Sequence, residues 1–427
     1  GRRQVCAWSY ESKSCVLRPN IPHHGPVSAK LCTGRHGASR GSKVWCRCNN
    51  REEPIRSKAL CENLEGGRNQ ACVWSVESRS CVPKTQTHSP PIHPPQDEGV
   101  GCPDPRGSIS EWSKQFLLTG KHLTVATWNV EWLFDGINDQ PPVPKWVGSP
   151  ESASARIREV AEVMRRIDAD IFHLAEVESC RILTRILAGL NSSHEPFLIE
   201  GTDTVLRQQV GLLSRLRPLQ SLLRSNARVE FPMEGSTCGY TGSTMSTGVS
   251  KHLIARFSPV AGHEIMLVGV HLKAGATKPA PCAQREAQVH VIRDLLWDAL
   301  QDGKHAIVLG DLNDLDPDVP GSDGQTPISS AVRLLKDLND DGQPELFNVL
   351  EKVPRRERYT NWFDRNQDGI FQAESEGSLV DHILVSGSLW ELVDSVGIDH
   401  QHDPRRLSDH WPVWVRFDLS PWSHAVV

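Results

Sequence analysis

Between Thr124 and the C-terminus, a short β-branched-rich run meets residues able to do acid, base or metal chemistry six times. Asn129 and Glu131 stand at the end of the run Thr124–Val130, and Glu176 closes Ile-Phe-His-Leu-Ala-Glu. His271 and Lys273 follow Ile265–Val270, and Asp311 and Asn313 follow Ala306–Leu309. Asp381-His382 lies in the run Val380–Val385, and Asp409-His410 directly precedes Trp411–Phe417. The runs read as strands of a buried sheet. One buried polar group is tolerable if it is paired, but six clusters at strand ends need a shared purpose. Holding a divalent cation and a phosphate is such a purpose, because both need several convergent oxygen and nitrogen groups.

Helical spacing fills the gaps between these runs. Ile157, Val160, Ala161, Met164 and Ile167 recur on one face, as do Val289, Ile292, Leu295, Leu296 and Leu300. Interleaved strands and helices in one unit predict a layered α/β or α+β domain. No run of eighteen apolar residues occurs, so no membrane span or stable membrane insertion is expected.

The N-terminal part has a different texture. Nine of the twelve cysteines lie between Cys6 and Cys102, and only Cys180, Cys238 and Cys282 follow. That density fits disulfide staples in an oxidising compartment, hence secretion. Zinc is disfavoured: Cys46-Arg-Cys48 is the closest pair and no Cys-x-x-Cys is present. Cys6-Ala-Trp-Ser-Tyr-Glu-Ser-Lys-Ser-Cys15-Val is echoed 66 residues later by Cys72-Val-Trp-Ser-Val-Glu-Ser-Arg-Ser-Cys81-Val, a stapled unit used twice. Cys61 precedes the second copy and the first lacks its counterpart, so the chain is expected to be cut from something longer. The organisation expected is a Cys-rich repeat region over residues 1–82, a Pro-rich linker over 83–107 and the enzyme domain over 108–427. Residues 1–102 carry a net charge of +7 and the remainder −12, which points to an anionic partner for the small region. Trp8, Trp45 and Trp74 are expected to fill its scant core rather than stack on bases.

The series Asn-Val-Glu-Trp-Leu-Phe, Leu-Ala-Glu-Val-Glu, Gly-Leu-Leu-Ser-Arg, Gly-Val-His-Leu-Lys, Gly-Asp-Leu-Asn-Asp, Asp-His-Ile-Leu-Val-Ser and Ser-Asp-His-Trp-Pro resembles, in order, the endonuclease/exonuclease/phosphatase superfamily. The resemblance runs from about Leu123 to Phe417 and is nearest to the extracellular nuclease-like branch. It implies an α+β, four-layer sandwich with two central sheets flanked by helices and the site at the strand ends. It implies Mg²⁺, with Mn²⁺ the alternative, held by Asn129, Glu176 and Asp409. By the same resemblance Asp311 orients or deprotonates the attacking water, and Asn313 holds a phosphate oxygen. His410 is the catalytic histidine with Asp381 fixing its tautomer, while His271 and Lys273 stabilise charge on the phosphorane. Asn313 is followed by Asp314 rather than an aromatic-Arg pair, unlike the inositol-phosphatase branch.

Other residues receive blander readings. Glu131 and Glu178 are expected to support the ligands rather than join them, and His173, His263, His290 and His382 to be packing or surface residues. Cys238 and Cys282 suit a disulfide, although sequence does not assign pairings, and Cys180 is expected to be unpaired. Asp337, Asn339 and Asp341 with Glu345, and Asp364, Asn366 and Asp368 with Glu374 or Glu376, begin like calcium loops but do not complete the EF-hand pattern. A structural Ca²⁺ is expected in at least one.

The function expected is that of a secreted, Mg²⁺-dependent nuclease acting on DNA or RNA by direct water attack. A phospholipid phosphodiesterase or phosphomonoesterase of the same fold is the alternative. A binding protein working through its Cys-rich repeats, with an inactive enzyme domain, stands third.

Overall fold

The computed structural model describes residues 100–102, 121–137, 143–144 and 147–423, together with short backbone strands in the N-terminal region. Two compact units divide the chain, Gly1–Asp97 and Glu98–Val427. In the first, Cys6–Ser9 pairs antiparallel with Ser14–Leu17, placing Trp8 opposite Cys15. Gln70–Ser75 pairs with Ser80–Pro83 in the matching register, Trp74 opposite Cys81. The packing of Trp8, Trp45 and Trp74, the cysteine pairings and surface charge of this unit, and all of the linker but 100–102 and its first residue, lie outside the described residues.

The second unit holds two main sheets. One orders its strands β12-β13-β1-β2-β4-β3, where β1 is His122–Leu133, β2 Ile171–Val177, β3 Glu195–Phe197, β4 Gln209–Ser214, β12 Val393–Ile398 and β13 Val413–Asp418. The other runs β5-β6-β7-β11-β8: β5 is His252–Val260, β6 His263–His271, β7 His305–Asp311, β8 Leu346–Asn348 and β11 Asp381–Ser386. A separate two-stranded ribbon pairs β9, Asn361–Trp362, with β10, Gly377–Ser378. Helices α1 (Pro150–Ile167) and α2 (Cys180–Leu190) lie in the crossovers of the first sheet, α3 (Pro279–Gln301) and α4 (Ala331–Lys336) beside the second.

Three apolar clusters define four layers. Val125, Ile171 and Leu212 of one sheet meet Leu253, Leu267, Leu309 and Ile383 of the other. The reverse face of the first sheet, through Trp128, Phe172 and Leu174, packs on Val160, Met164, Ile182 and Ile186. Val268, Val308 and Leu384 likewise pack on Val289, Ile292, Leu296 and Leu335. Strands covered on both faces must be apolar throughout, which is why they read as continuous β-branched runs rather than alternating ones. Chain entry into α1 is set by Ser149, whose side chain accepts the Ser152 N–H, with Pro150 following at a position where its missing donor costs nothing.

Register places the polar strand ends at one rim. β1 and β2 are parallel, as are β6 and β7, with His271 opposite Asp311. β11 enters antiparallel, setting Asp381 opposite Asp311, and β13 sets Val413 opposite Thr127. Cys180 departs from expectation: it is bonded to Cys102, 78 residues earlier. The Cys102 and Cys180 N–H groups donate to the Leu198 and Val100 carbonyls, so 100–102 is tied to Leu198 and α2 within the second unit, bringing the partner sulfur to the start of α2. Cys238 and Cys282 are also joined.

Candidate active site

Two strand ends from each sheet form the floor. Asn129 of β1 gives its amide nitrogen to Glu176 Oε1 at 3.2 Å and to Asp311 Oδ2 at 3.0 Å, so it bridges the sheets. Its oxygen accepts the Glu131 N–H. Glu176 Oε2 accepts the Trp132 N–H at 3.0 Å. His271 Nε2 lies 3.6 Å from Asp311 Oδ2 and 3.9 Å from Glu176 Oε1. Asp311 Oδ1 accepts the Asn313 N–H, and the Asn313 amide donates to the Leu272 carbonyl.

The opposite wall is the Ser408–His410 segment. His410 Nδ1 and Asp381 Oδ2 are 2.7 Å apart, and His410 Nε2 faces Asp311 Oδ2 and Asp409 Oδ1, each at 3.9 Å. Ser408 Oγ donates to the Asn129 carbonyl and accepts the His410 N–H, while Trp128 Nε1 donates to the His410 carbonyl. These bonds fix the ring from the backbone outward. Backbone strain concentrates here: Glu131, Trp132, Glu176 and Asn313 all have φ between 49° and 63°. Side chains pay about 1–3 kcal/mol each in such conformations, which persist where the surroundings over-determine them and cluster at active sites.

Electrostatics follow from burying several carboxylates together. Burial, then repulsion by Asp381, raises Asp311 to about 7. Burial raises Glu176 and Asp409 as well. Burial works to discharge His410, but Asp381, Asp409 and Asp311 outweigh it and hold the ring well above its ordinary value. His271 has no carboxylate in direct hydrogen-bond contact; burial, then the Lys251 charge, holds it well below its ordinary value. Glu131 is raised to about 7 by burial and by Asp409, whose N–H its carboxylate accepts.

The expected residues therefore converge with different success. Asn129, Glu176, His271, Asp311, Asn313, Asp381, Asp409 and His410 meet at the rim. Lys273 is exposed at its margin, held by its N–H to Gln288. Glu178 instead accepts the Asp135 N–H. His173 and His382 are fully buried; His263 stacks on Trp422. Lys251 and Arg156 were missed. Lys251 is buried at the start of β5, where Glu176, Asp203 and Asp311 oppose the discharge that burial favours. Arg156 donates from α1 to the Val130, Glu131 and Leu407 carbonyls. A charged residue at the end of an apolar run and one on a helix carry no sequence pattern that separates them from solvated neighbours.

Residues 126–410 match the endonuclease/exonuclease/phosphatase family. The chain belongs to this family. No match is found among curated proteins. Truncated TDP2 from Caenorhabditis elegans is similar at 18% identity over 70% of this chain and 98% of its own, with a TM-score of 0.43. A 3'-5' exonuclease from Neisseria meningitidis is 19% identical over 69% and 100%, TM-score 0.45. An AP endonuclease from Archaeoglobus fulgidus is 17% identical over 69% and 99%, TM-score 0.45.

As an endonuclease/exonuclease/phosphatase family member the protein is a phosphoester hydrolase, and enzymes of the family use divalent metal ions. The donor set fits such an ion. The Asn129 side chain lies 3.2 Å from Glu176, and burial disfavours the charged forms of Glu176 and Asp409. Buried anions raised by desolvation gain most from a hard cation.

Proposed function

We propose that the protein is a secreted, Mg²⁺-dependent nuclease hydrolysing phosphodiester bonds of DNA or RNA. The observation that carries this reading is an open groove of about 620 Å³ beside His271, lined by Arg224, Arg228, Lys251 and Lys273 with Asp203 as its one acidic member among the described residues. Cations gathered in an otherwise acidic unit suit a polyanion longer than a single phosphate. Two disulfides in the enzyme unit support an oxidising compartment.

Asn129, Glu176 and Asp409 would hold the metal. Bound there, Mg²⁺ supplies positive charge against the phosphate and the leaving oxygen. Asp311, raised to about 7 by burial, accepts a proton from the attacking water near neutral pH. His410, kept charged by Asp381, donates Nε2–H to the phosphate as negative charge builds, and His271 and Asn313 orient its other oxygens. The P–O bond breaks opposite the incoming water, and no covalent enzyme intermediate forms.

Plasmid DNA, RNA and sphingomyelin assayed side by side in Mg²⁺ and in EDTA, with His410→Ala as control, test the reading. Nicking of circular plasmid or cleavage of RNA that disappears in EDTA and in the variant supports it. Cleaved lipid beside intact nucleic acid refutes it in favour of the lipid branch, and no turnover refutes it in favour of a binding protein.

A further inference from the structure

The two Asx-rich loops end differently. In the first, Glu345 is already engaged: its Oε1 accepts the Asn339 amide at 2.8 Å and its Oε2 the Leu338 N–H at 2.6 Å. Asn339, Asp341 and Glu345 thus close on themselves, although Asp337 Oδ1 is buried with no hydrogen-bond partner. In the second, Asp364, Asp368 and Glu376 bring one carboxylate oxygen each within 4.8 Å of the others. Glu376 is only 2% exposed. Trp362 Nε1 donates to its Oε2 at 3.1 Å, while Oε1 is buried with no hydrogen-bond partner. A carboxylate oxygen buried without a donor costs several kcal/mol unless something positive meets it. Asp364 and Asp368 stand where a cation would do so.

We propose that Asp364, Asp368 and Glu376, with the Asn366 side-chain oxygen, form a second divalent-cation site of the calcium class, distinct from the active-site cluster. All-oxygen donors on a pliant loop suit a large hard ion better than Mg²⁺, which demands tighter octahedral geometry. Glu376 lies one residue beyond the twelfth position of an EF-hand loop counted from Asp364, which is why the sequence pattern looked incomplete.

The ion would join the two ends of the β9–β10 ribbon, and that ribbon braces the active site. Trp362 donates its N–H to the Asp409 carbonyl at 2.8 Å, and Asn361 bridges to His410. Thr360, just before β9, accepts the Trp411 N–H on its carbonyl and the Asp381 N–H on Oγ1. Cation binding at the loop therefore stiffens the backbone carrying Asp381, Asp409 and His410.

Terbium serves as the probe, because Trp362 beside Glu376 would sensitise its emission on excitation of tryptophan. The full chain should show saturable emission that Ca²⁺ displaces far better than Mg²⁺. Glu376→Gln and the exposed Asp368→Asn should each weaken it at least tenfold, while Asp337→Asn and the active-site variant Glu176→Gln leave it intact. Asp368→Asn guards against loss of fold in Glu376→Gln. In hydrogen exchange, Ca²⁺ should protect the Trp362, Asp381 and Trp411 amides in the parent and not in Asp368→Asn. Emission unchanged in both loop variants, or abolished by Glu176→Gln instead, overturns the site. Unchanged protection with binding intact overturns the brace. None of these readouts requires the enzyme to be a nuclease.

Discussion

Replacing Asp381 with asparagine keeps the size and the acceptor oxygen but removes the charge beside His410. The two groups meet at 2.7 Å, with side chains 1% and 9% exposed, so water screens them little. Charge centres about 4 Å apart at an effective dielectric of about 20 interact by about 4 kcal/mol. If a charged His410 stabilises the transition state, that loss slows the chemical step by about a thousandfold, at about 1.4 kcal/mol per decade. The bond from His410 N–H to Ser408 and that from Trp128 to the His410 carbonyl survive, so the fold should hold and KM should change little. Initial rates of plasmid nicking under saturating Mg²⁺, with near-ultraviolet circular dichroism as a check on folding, measure the effect. Because Asp381 acts through His410, Asp381→Asn combined with His410→Ala should be no slower than His410→Ala alone. A folded Asp381→Asn variant within tenfold of the parent rate would falsify the assignment, as would full additivity in the double variant.

Two further outcomes concern stability. Arg285 is fully buried and donates to Asp314 at 3.0 Å and to the Lys273, Gly275 and Ala276 carbonyls, so Arg285→Met leaves the buried Asp314 unpaired and should cost about 3–5 kcal/mol. For a unit of this size that is a fall of about 6 °C in the unfolding midpoint, partly recovered by adding Asp314→Leu; a shift below about 1 °C would show that the pair contributes nothing. Burial holds His173 neutral with a pKa of about 3, below its ordinary 6.5, so the unfolded chain takes up its proton first as pH falls. His173 stability is therefore complete above pH 6.5 and lost through the window down to about pH 3, at about 1.4 kcal/mol per pH unit. Between pH 7 and pH 5 urea unfolding should show the parent losing about 2 kcal/mol more than His173→Gln; equal pH dependence in the two would refute the reasoning.

His173 also shows why some of the fold was illegible. It reads as a polar interruption in Ile-Phe-His-Leu-Ala-Glu, yet it sits between the sheets with Nδ1 2.9 Å from Thr127 Oγ1. Gly269 and Gly310 make room for it: a Cβ on Gly269 would lie 2.4 Å from the ring. Those glycines are 96 and 137 residues away, beyond any local pattern. Cys180 was misjudged for the same reason, because its partner Cys102 stood in what read as linker.

What the sequence determined by itself were the properties that depend on neighbours along the chain. Continuous β-branched runs and period-3.6 apolar faces have few ways to hide their surface, so the strands, the helices and the layered class followed from them. So did the residue types at each strand end, and with them the order of motifs that marks the family. Tertiary structure alone decided which charges face one another. His410 is pushed above its ordinary value and His271 below it though both are histidines at the same rim, because Asp381 lies 2.7 Å from one while burial, then Lys251, act on the other. The same holds for Glu376, which the fold brings within 4.8 Å of Asp364 and Asp368 in one Asx-rich loop. Coulomb and desolvation energies depend on distances through space, and those are set only when strands far apart in the chain come into register.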